Sequence, residues 1–169
     1  MLKIINDLVP FFEDCYRRIN VREYAKIIGI SPPTASGLLN NYKNEGLLLM
    51  EKYKNYILFY ANKDSKQFIG LSKLYWACKI RELVEFIAKK TTTPTIVLFG
   101  SLSKAESKIN SDIDIAIFAI KRELDLNHFE KKLKRKIQIF WFQSINTIKN
   151  KELANNIING YVLNGTLRL

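Results

Sequence analysis

Over residues 2–19 the apolar positions fall at helical spacing, with Pro10 interrupting the run. Asn20 is placed to cap a second helix, in which Tyr24, Ala25 and Ile28 share one face. Gly29 suits the turn that ends it. Ser31 caps a third helix, with Pro32 at its first position. In that helix Ala35, Leu38, Leu39 and Tyr42 recur at i, i+3, i+4, i+7, which predicts a buried stripe. Gly46 follows Glu45 as a C-terminal stop. The run LLLMEKYKNYILFYANK then reads as two short strands joined at Lys54-Asn55. Residues 65–90 read as one long helix with a broad apolar face, and Lys89 and Lys90 complement its negative end. TTTPT breaks it.

The pattern changes after that break. TIVLF, residues 95–99, is a β-branched and aromatic run, hence a buried strand. Gly100-Ser101 ends it, and residues 102–109 are expected to form a short helix carrying Lys104 and Lys108. SDIDIAIF is an alternating strand, with Asp112 and Asp114 on one side and Ile113, Ile115 and Ile117 on the other. A helix over 126–135 leads to a further strand in KIQIFWFQ. KNKELANNIINGYVLNG supplies a last helix and a short strand. The expected organisation is an α+β chain of two domains: residues 1–64, a connecting helix over 65–93, and residues 94–169.

Composition narrows the function classes. The chain has 169 residues, 47% hydrophobic and 25% charged, which suits folded domains and excludes a disordered chain. No apolar run approaches the ~20 residues of a membrane span, and the N-terminal stretch lacks the small-residue cleavage site of a signal peptide. We therefore expect a cytoplasmic protein without membrane partners. Cys15 and Cys78 form no metal pattern, and a single histidine, His128, rules out a His/Cys zinc site. We read His128 as a surface or partly buried helix residue. Lys and Arg outnumber Asp and Glu by 27 to 16, a net charge of +11, which points to polyanionic partners or a solvated Lys-rich surface. The excess is uneven. Residues 1–65 hold nine basic against seven acidic side chains, residues 98–169 twelve against seven, and KKLKRK at 131–136 is the densest run.

Helix, helix-turn-helix and β-hairpin in that order resemble a winged helix-turn-helix domain. The resemblance implies DNA contact through the outward side chains of the third helix: Pro33, Thr34, Ser36, Gly37, Asn40 and Asn41 at base edges, with Lys43 and the wing residues Lys52 and Lys54 at phosphates. The near-neutral charge of this half gives such contact a thin electrostatic footprint. Partner docking or homodimerisation is the other use of such a domain.

The carboxylates of the second half carry chemistry. Glycine lets a backbone approach a ligand closely, and a Ser hydroxyl with free N–H groups after a strand can hold a phosphate oxygen. Two aspartates spaced i, i+2 on a strand lie about 7 Å apart. They repel one another unless a cation sits between them, and hard oxygen ligands select Mg2+ or Mn2+. The order glycine-serine, ten-residue gap, aspartate-x-aspartate resembles the motif of minimal nucleotidyltransferases of the DNA polymerase β-like superfamily, of the antitoxin type. That resemblance implies a mixed sheet with helices packed on one face, a Mg-bound nucleoside triphosphate, ATP in the first instance, and transfer of a nucleoside monophosphate. By position, Gly100, Ser101 and Lys104 would bind the triphosphate and Asp112 and Asp114 the metal.

One position departs from the superfamily. Its third carboxylate, expected on the next core strand, falls on Gln138, which offers a carbonyl oxygen but neither charge nor base. Asp125 and Glu106 are the candidate substitutes. Three functions compete on the sequence: transfer of a nucleotide to a protein acceptor such as a HEPN-class toxin, as antitoxins with this motif do; DNA-binding transcription regulation with a nucleotide-sensing second domain; and an assembly module using both domains for protein contact.

Overall fold

The computed structural model describes residues 2–168 and divides the chain into two compact units, residues 1–72 with 105–109, and residues 73–104 with 110–169. The division falls inside a helix, between Ser72 and Lys73, where the sequence reading set a separate connecting segment over 65–93. Among the described residues no helix is long and apolar enough to cross a membrane.

The first unit runs α1 (Lys3–Glu13), β1 (Ile19–Asn20), α2 (Val21–Ile28), α3 (Pro32–Asn44), β2 (Leu48–Tyr53) and β3 (Tyr56–Ala61). The local signals act as their chemistry demands. Asn20 and Ser31 accept the backbone N–H groups of Glu23 and Thr34, and Gly29 leaves α2 in the left-handed region at φ 74°. Pro10 does not interrupt α1 as its ring would suggest. It sits inside the helix and is buried with Leu8, Phe11 and Phe12, whose burial offsets the lost backbone hydrogen bond. β1, β3 and β2 form an antiparallel sheet in that order. At the helix junction Asp7 is buried. Its carboxylate accepts the Tyr42 hydroxyl at 2.7 Å and its carbonyl the Tyr24 hydroxyl at 2.9 Å. Burial is the main cause of the upward shift of both phenol pKa values, with the Asp7 charge adding to it.

Residues 105–109 belong to this unit rather than to a helix. Ser107 Oγ donates to the Phe12 carbonyl at 2.5 Å, and the Cys15 N–H donates to the Ser107 carbonyl at 2.8 Å. Lys108 lies 5.3 Å from the centroid of the Tyr16 ring. The helix expected over 102–109 is therefore only a 3-10 turn, Gly100–Lys104, stopped where Ala105 turns left-handed at φ 56°.

The second unit contains α5 (Arg81–Lys90), β4 (Thr95–Phe99), β5 (Ile113–Phe118), α6 (Asn127–Leu133), β6 (Ile137–Phe142), α7 (Lys151–Ile158) and β7 (Tyr161–Asn164). The single helix expected over 65–90 is two, α4 (Lys66–Lys79) and α5, with Ile80 between them at φ −99°, ψ 12°. The hydrogen bonds Ile80 N to Trp76 O and Val84 N to Ile80 O continue through the bend. No Gly or Pro marks it, so periodicity alone runs on across it. α6 is shorter than the expected 126–135 because Lys134 turns left-handed. The sheet order is β6-β5-β4-β7, with β5 and β6 parallel and the other pairs antiparallel. α7 packs Leu153 and Ile157 on the face that carries Val97, Phe99 and Ala116. The opposite face, with Ile96, Leu98, Ile113, Ile115 and Ile117, is fully buried too, so the sheet is not covered on one face alone. That two-sided burial is why its strands read as near-continuous apolar runs.

Candidate functional site

The ends of three strands position the site. β4 delivers Gly100, β5 delivers Asp114, and β6 delivers Gln138. Asp114 stands in register with Phe99 on one neighbour and with Gln138 on the other. Asp112 lies just before β5 begins, two residues from Asp114 and on the same side of the pleat.

Gly100 is in the left-handed region at φ 73°, and a Cβ built on it would collide with Asp114 Oδ2. Any larger residue there would have to displace the carboxylate, so glycine is a packing requirement of the site as well as a backbone one. Ser101 follows, half-buried, in the 3-10 turn; Ser103 Oγ ties that turn down by donating to the Gly100 carbonyl at 2.9 Å. Lys104 is exposed and donates to Asn156 Oδ1 on α7 at 2.6 Å.

The electrostatics of the pair are unfavourable as they stand. Burial, with the Asp112 charge adding to it, raises the Asp114 pKa from 3.8 to about 6. Gln138 Nε2 donates to Asp112 Oδ2 at 2.5 Å, a neutral donor set against that charge. Two carboxylates and an amide carbonyl within one strand end suit a hard divalent cation, which would relieve both causes of the Asp114 shift. The donor set is small: among the described residues no group of three or more His, Cys, Asp or Glu side chains converges. Asp125 Oδ1 accepts the Asn127 N–H and side-chain amide, serving the start of α6. Glu106 is exposed, in the segment that packs with the first unit.

Gly100, Asp112, Asp114 and Gln138 are thus brought together, with Ser101 and Lys104 on the adjoining turn. The partner of Lys104, Asn156, was not visible in the sequence. It is one of two adjacent asparagines on an outward helix face, and only the packing of α7 gives it meaning.

The residues expected at DNA lie within the first unit. Pro33, Thr34, Gly37, Asn40, Asn41 and Lys43 are exposed on α3, and Ser36 is half-buried. Thr34 Oγ1 bonds Ser31 Oγ in the helix cap, and Asn40 Nδ2 folds back to the Ser36 carbonyl at 2.9 Å. Lys52 is exposed on β2, and Lys54 occupies the hairpin turn at φ 53°.

No curated protein and no solved structure matches the chain. A family model for polymerase beta nucleotidyltransferases matches residues 81–165, half of the chain, a span that holds Gly100, Ser101, Lys104, Asp112, Asp114 and Gln138. With Gly100, the paired aspartates and the mixed sheet all inside that match, the chain belongs to the polymerase beta nucleotidyltransferase family.

Proposed function

We propose that the protein transfers a nucleoside monophosphate from a nucleoside triphosphate to a macromolecular acceptor, with a protein acceptor, as in antitoxin-type relatives of this motif, as the leading class. The observation that carries this reading is the convergence of Asp112 and Asp114 beside Gly100 at one strand end. Asp112 and Asp114 would hold Mg2+ or Mn2+. When bound, such a cation neutralises triphosphate charge and polarises the phosphorus under attack. Gly100 leaves room for a phosphate to approach the backbone, and the Ser101 hydroxyl offers a donor to it. Lys104, held by Asn156, adds a positive charge at the same turn. The new bond joins an acceptor oxygen to the α-phosphorus, and pyrophosphate leaves.

The expected result is that label from α-labelled ATP, but not from γ-labelled ATP, passes to a macromolecule when the protein is incubated with Mg2+ and lysate of its source. The Asp112→Asn/Asp114→Asn variant should leave the label in ATP. Transfer that survives in this variant would place the chemistry elsewhere.

A specific observation favours a second reading. Gln138 occupies the place beside Asp114 with a neutral amide, and its Nε2 engages an oxygen of Asp112. On this reading the domain binds nucleotide without transferring it, and the winged helix-turn-helix of the first unit binds DNA as a transcription regulator. Its signature is metal-dependent ATP binding without transfer, with a salt-sensitive DNA shift by the full chain that weakens in Lys43→Ala/Lys52→Ala/Lys54→Ala.

A further inference from the structure

The sheet of the second unit has a second end. The carboxylates lie where β4 finishes and β5 begins. Where β4 begins and β5, β6 and β7 finish, two adjoining clefts of about 450 and 420 Å3 open. They share Thr93, Phe118 and Gln143 as a common wall; Thr166 and Arg168 line the first, and Arg122 lines the second. β4 spans Thr95–Phe99, so four strand steps, roughly 13 Å, separate this end from the Gly100 end.

Five features mark the clefts as built to receive something. Their volumes fall in the range of small-molecule sites, about 300–1,000 Å3. Among the described residues no carboxylate lines either one, although both carry an arginine. The side chains of Thr93, Arg122, Gln143, Thr166 and Arg168 have no hydrogen-bond or ion-pair partner among the described residues, so their donors face solvent unspent. Thr93 is also held at φ 43°. That conformation is strained for a β-branched residue, and backbone strain of this kind collects at ligand sites. Phe118, half-buried and packed on Phe142, offers an aromatic surface to both clefts.

An aromatic wall shared by two clefts that each carry a guanidinium group, with hydroxyl and amide donors, is complementary to a planar ring that carries phosphate. We infer that this end of the sheet is a second ligand site, distinct from the carboxylates, that takes a nucleoside 5′-phosphate with its base against Phe118 and its phosphate held by arginine, Arg168 in one cleft or Arg122 in the other. It needs no divalent cation, because the protein itself supplies the positive charge. Its nature follows from residues outside the transfer site and holds whether or not that site transfers.

Isothermal titration of the full chain with AMP in EDTA tests it, since chelation silences any metal-dependent site at Asp112 and Asp114. AMP is expected to bind, at least tenfold more tightly than ribose 5-phosphate, which lacks the ring. Arg122→Ala/Arg168→Ala is expected to weaken AMP at least tenfold, and Asp112→Asn/Asp114→Asn to leave it unchanged. Both arginines are exposed, so their loss should not unfold the chain, and a matching far-UV spectrum checks this. Absence of AMP binding in EDTA overturns the inference. So does equal binding of ribose 5-phosphate, or a loss caused by the aspartate variant and not by the arginine one.

Discussion

Gln138→Glu is expected to raise the rate of nucleotide transfer about 100-fold, the order by which a single well-placed electrostatic group alters an active site. Position 138 stands in register with Asp114, and its amide already reaches Asp112 at 2.5 Å. Glutamate there has the same length and swaps a donor for an acceptor. A bound divalent cation would then meet three carboxylates instead of two. The substitution has an opposite effect without metal: the bond to Asp112 is lost and a third negative charge enters. Losing a hydrogen bond to a charged group costs about 1.5–3 kcal/mol when both partners are buried. Residue 138 is exposed, so about 1 kcal/mol is the expected loss, or some 2–4 °C in melting temperature. Initial rates from α-labelled ATP, with melting curves in EDTA and in Mn2+, check both halves. Gln138→Ala separates charge from release of Asp112, because it removes the donor and adds nothing. Equal rates in Gln138→Glu and wild type would show that the missing acid does not limit this protein.

That prediction rests on a position the sequence located by counting, and it illustrates what was legible. Asp112 and Asp114 could be read as one-sided because strand alternation is a two-residue rule, which needs no tertiary information. The caps at Asn20 and Ser31, the turn at Gly29 and the hairpin at Lys54-Asn55 were legible for the same reason: each is satisfied within a few residues. What failed was decided at a distance. Pro10 stays helical because Leu8, Phe11 and Phe12 are buried around it. The bend at Ile80 has no breaker residue to announce it. Residues 105–109 leave the helical path because Ser107 finds Phe12 and Cys15, more than ninety positions away. Likewise the pairing of Lys104 with Asn156, and the clefts beyond Phe118, depend on which strand ends the topology gathers. The family was legible from a local spacing, and the surroundings of its motif were not.

Asp114→Asn is expected to stabilise the metal-free protein while abolishing its response to divalent metal. The folded chain holds the Asp114 carboxyl at a pKa of about 6 against 3.8 for an unperturbed one, through burial first and the Asp112 charge second. A raised folded pKa means that the proton is bound more tightly in the folded state. Below about pH 4 the group is protonated in both states and the folded chain keeps the full benefit. Between pH 4 and 6 that benefit declines as the unfolded chain ionises, and above pH 6 the folded protein carries a poorly solvated charge beside a like one. Asparagine removes this dependence. The shift corresponds to about 3 kcal/mol at face value, and partial exposure of the site reduces it to about 1–2 kcal/mol. In EDTA at pH 7.5 the variant should therefore melt several degrees above wild type, with the difference shrinking toward zero as the pH falls to 4. Mg2+ and ATP should invert the order. Wild type gains stability by mass action as Mg2+-bound ATP engages the aspartates of the folded state only, and the variant lacks that gain. Melting curves across pH 4–8, in EDTA and in Mg-ATP, measure both effects. A variant no more stable than wild type at pH 7.5 in EDTA would mean that Asp114 is comfortable where it stands. A carboxylate that costs the empty fold nothing would lose its best physical reason for being a cation ligand. The inversion is the sharper outcome, because a residue kept only for packing would stabilise or destabilise alike with and without metal.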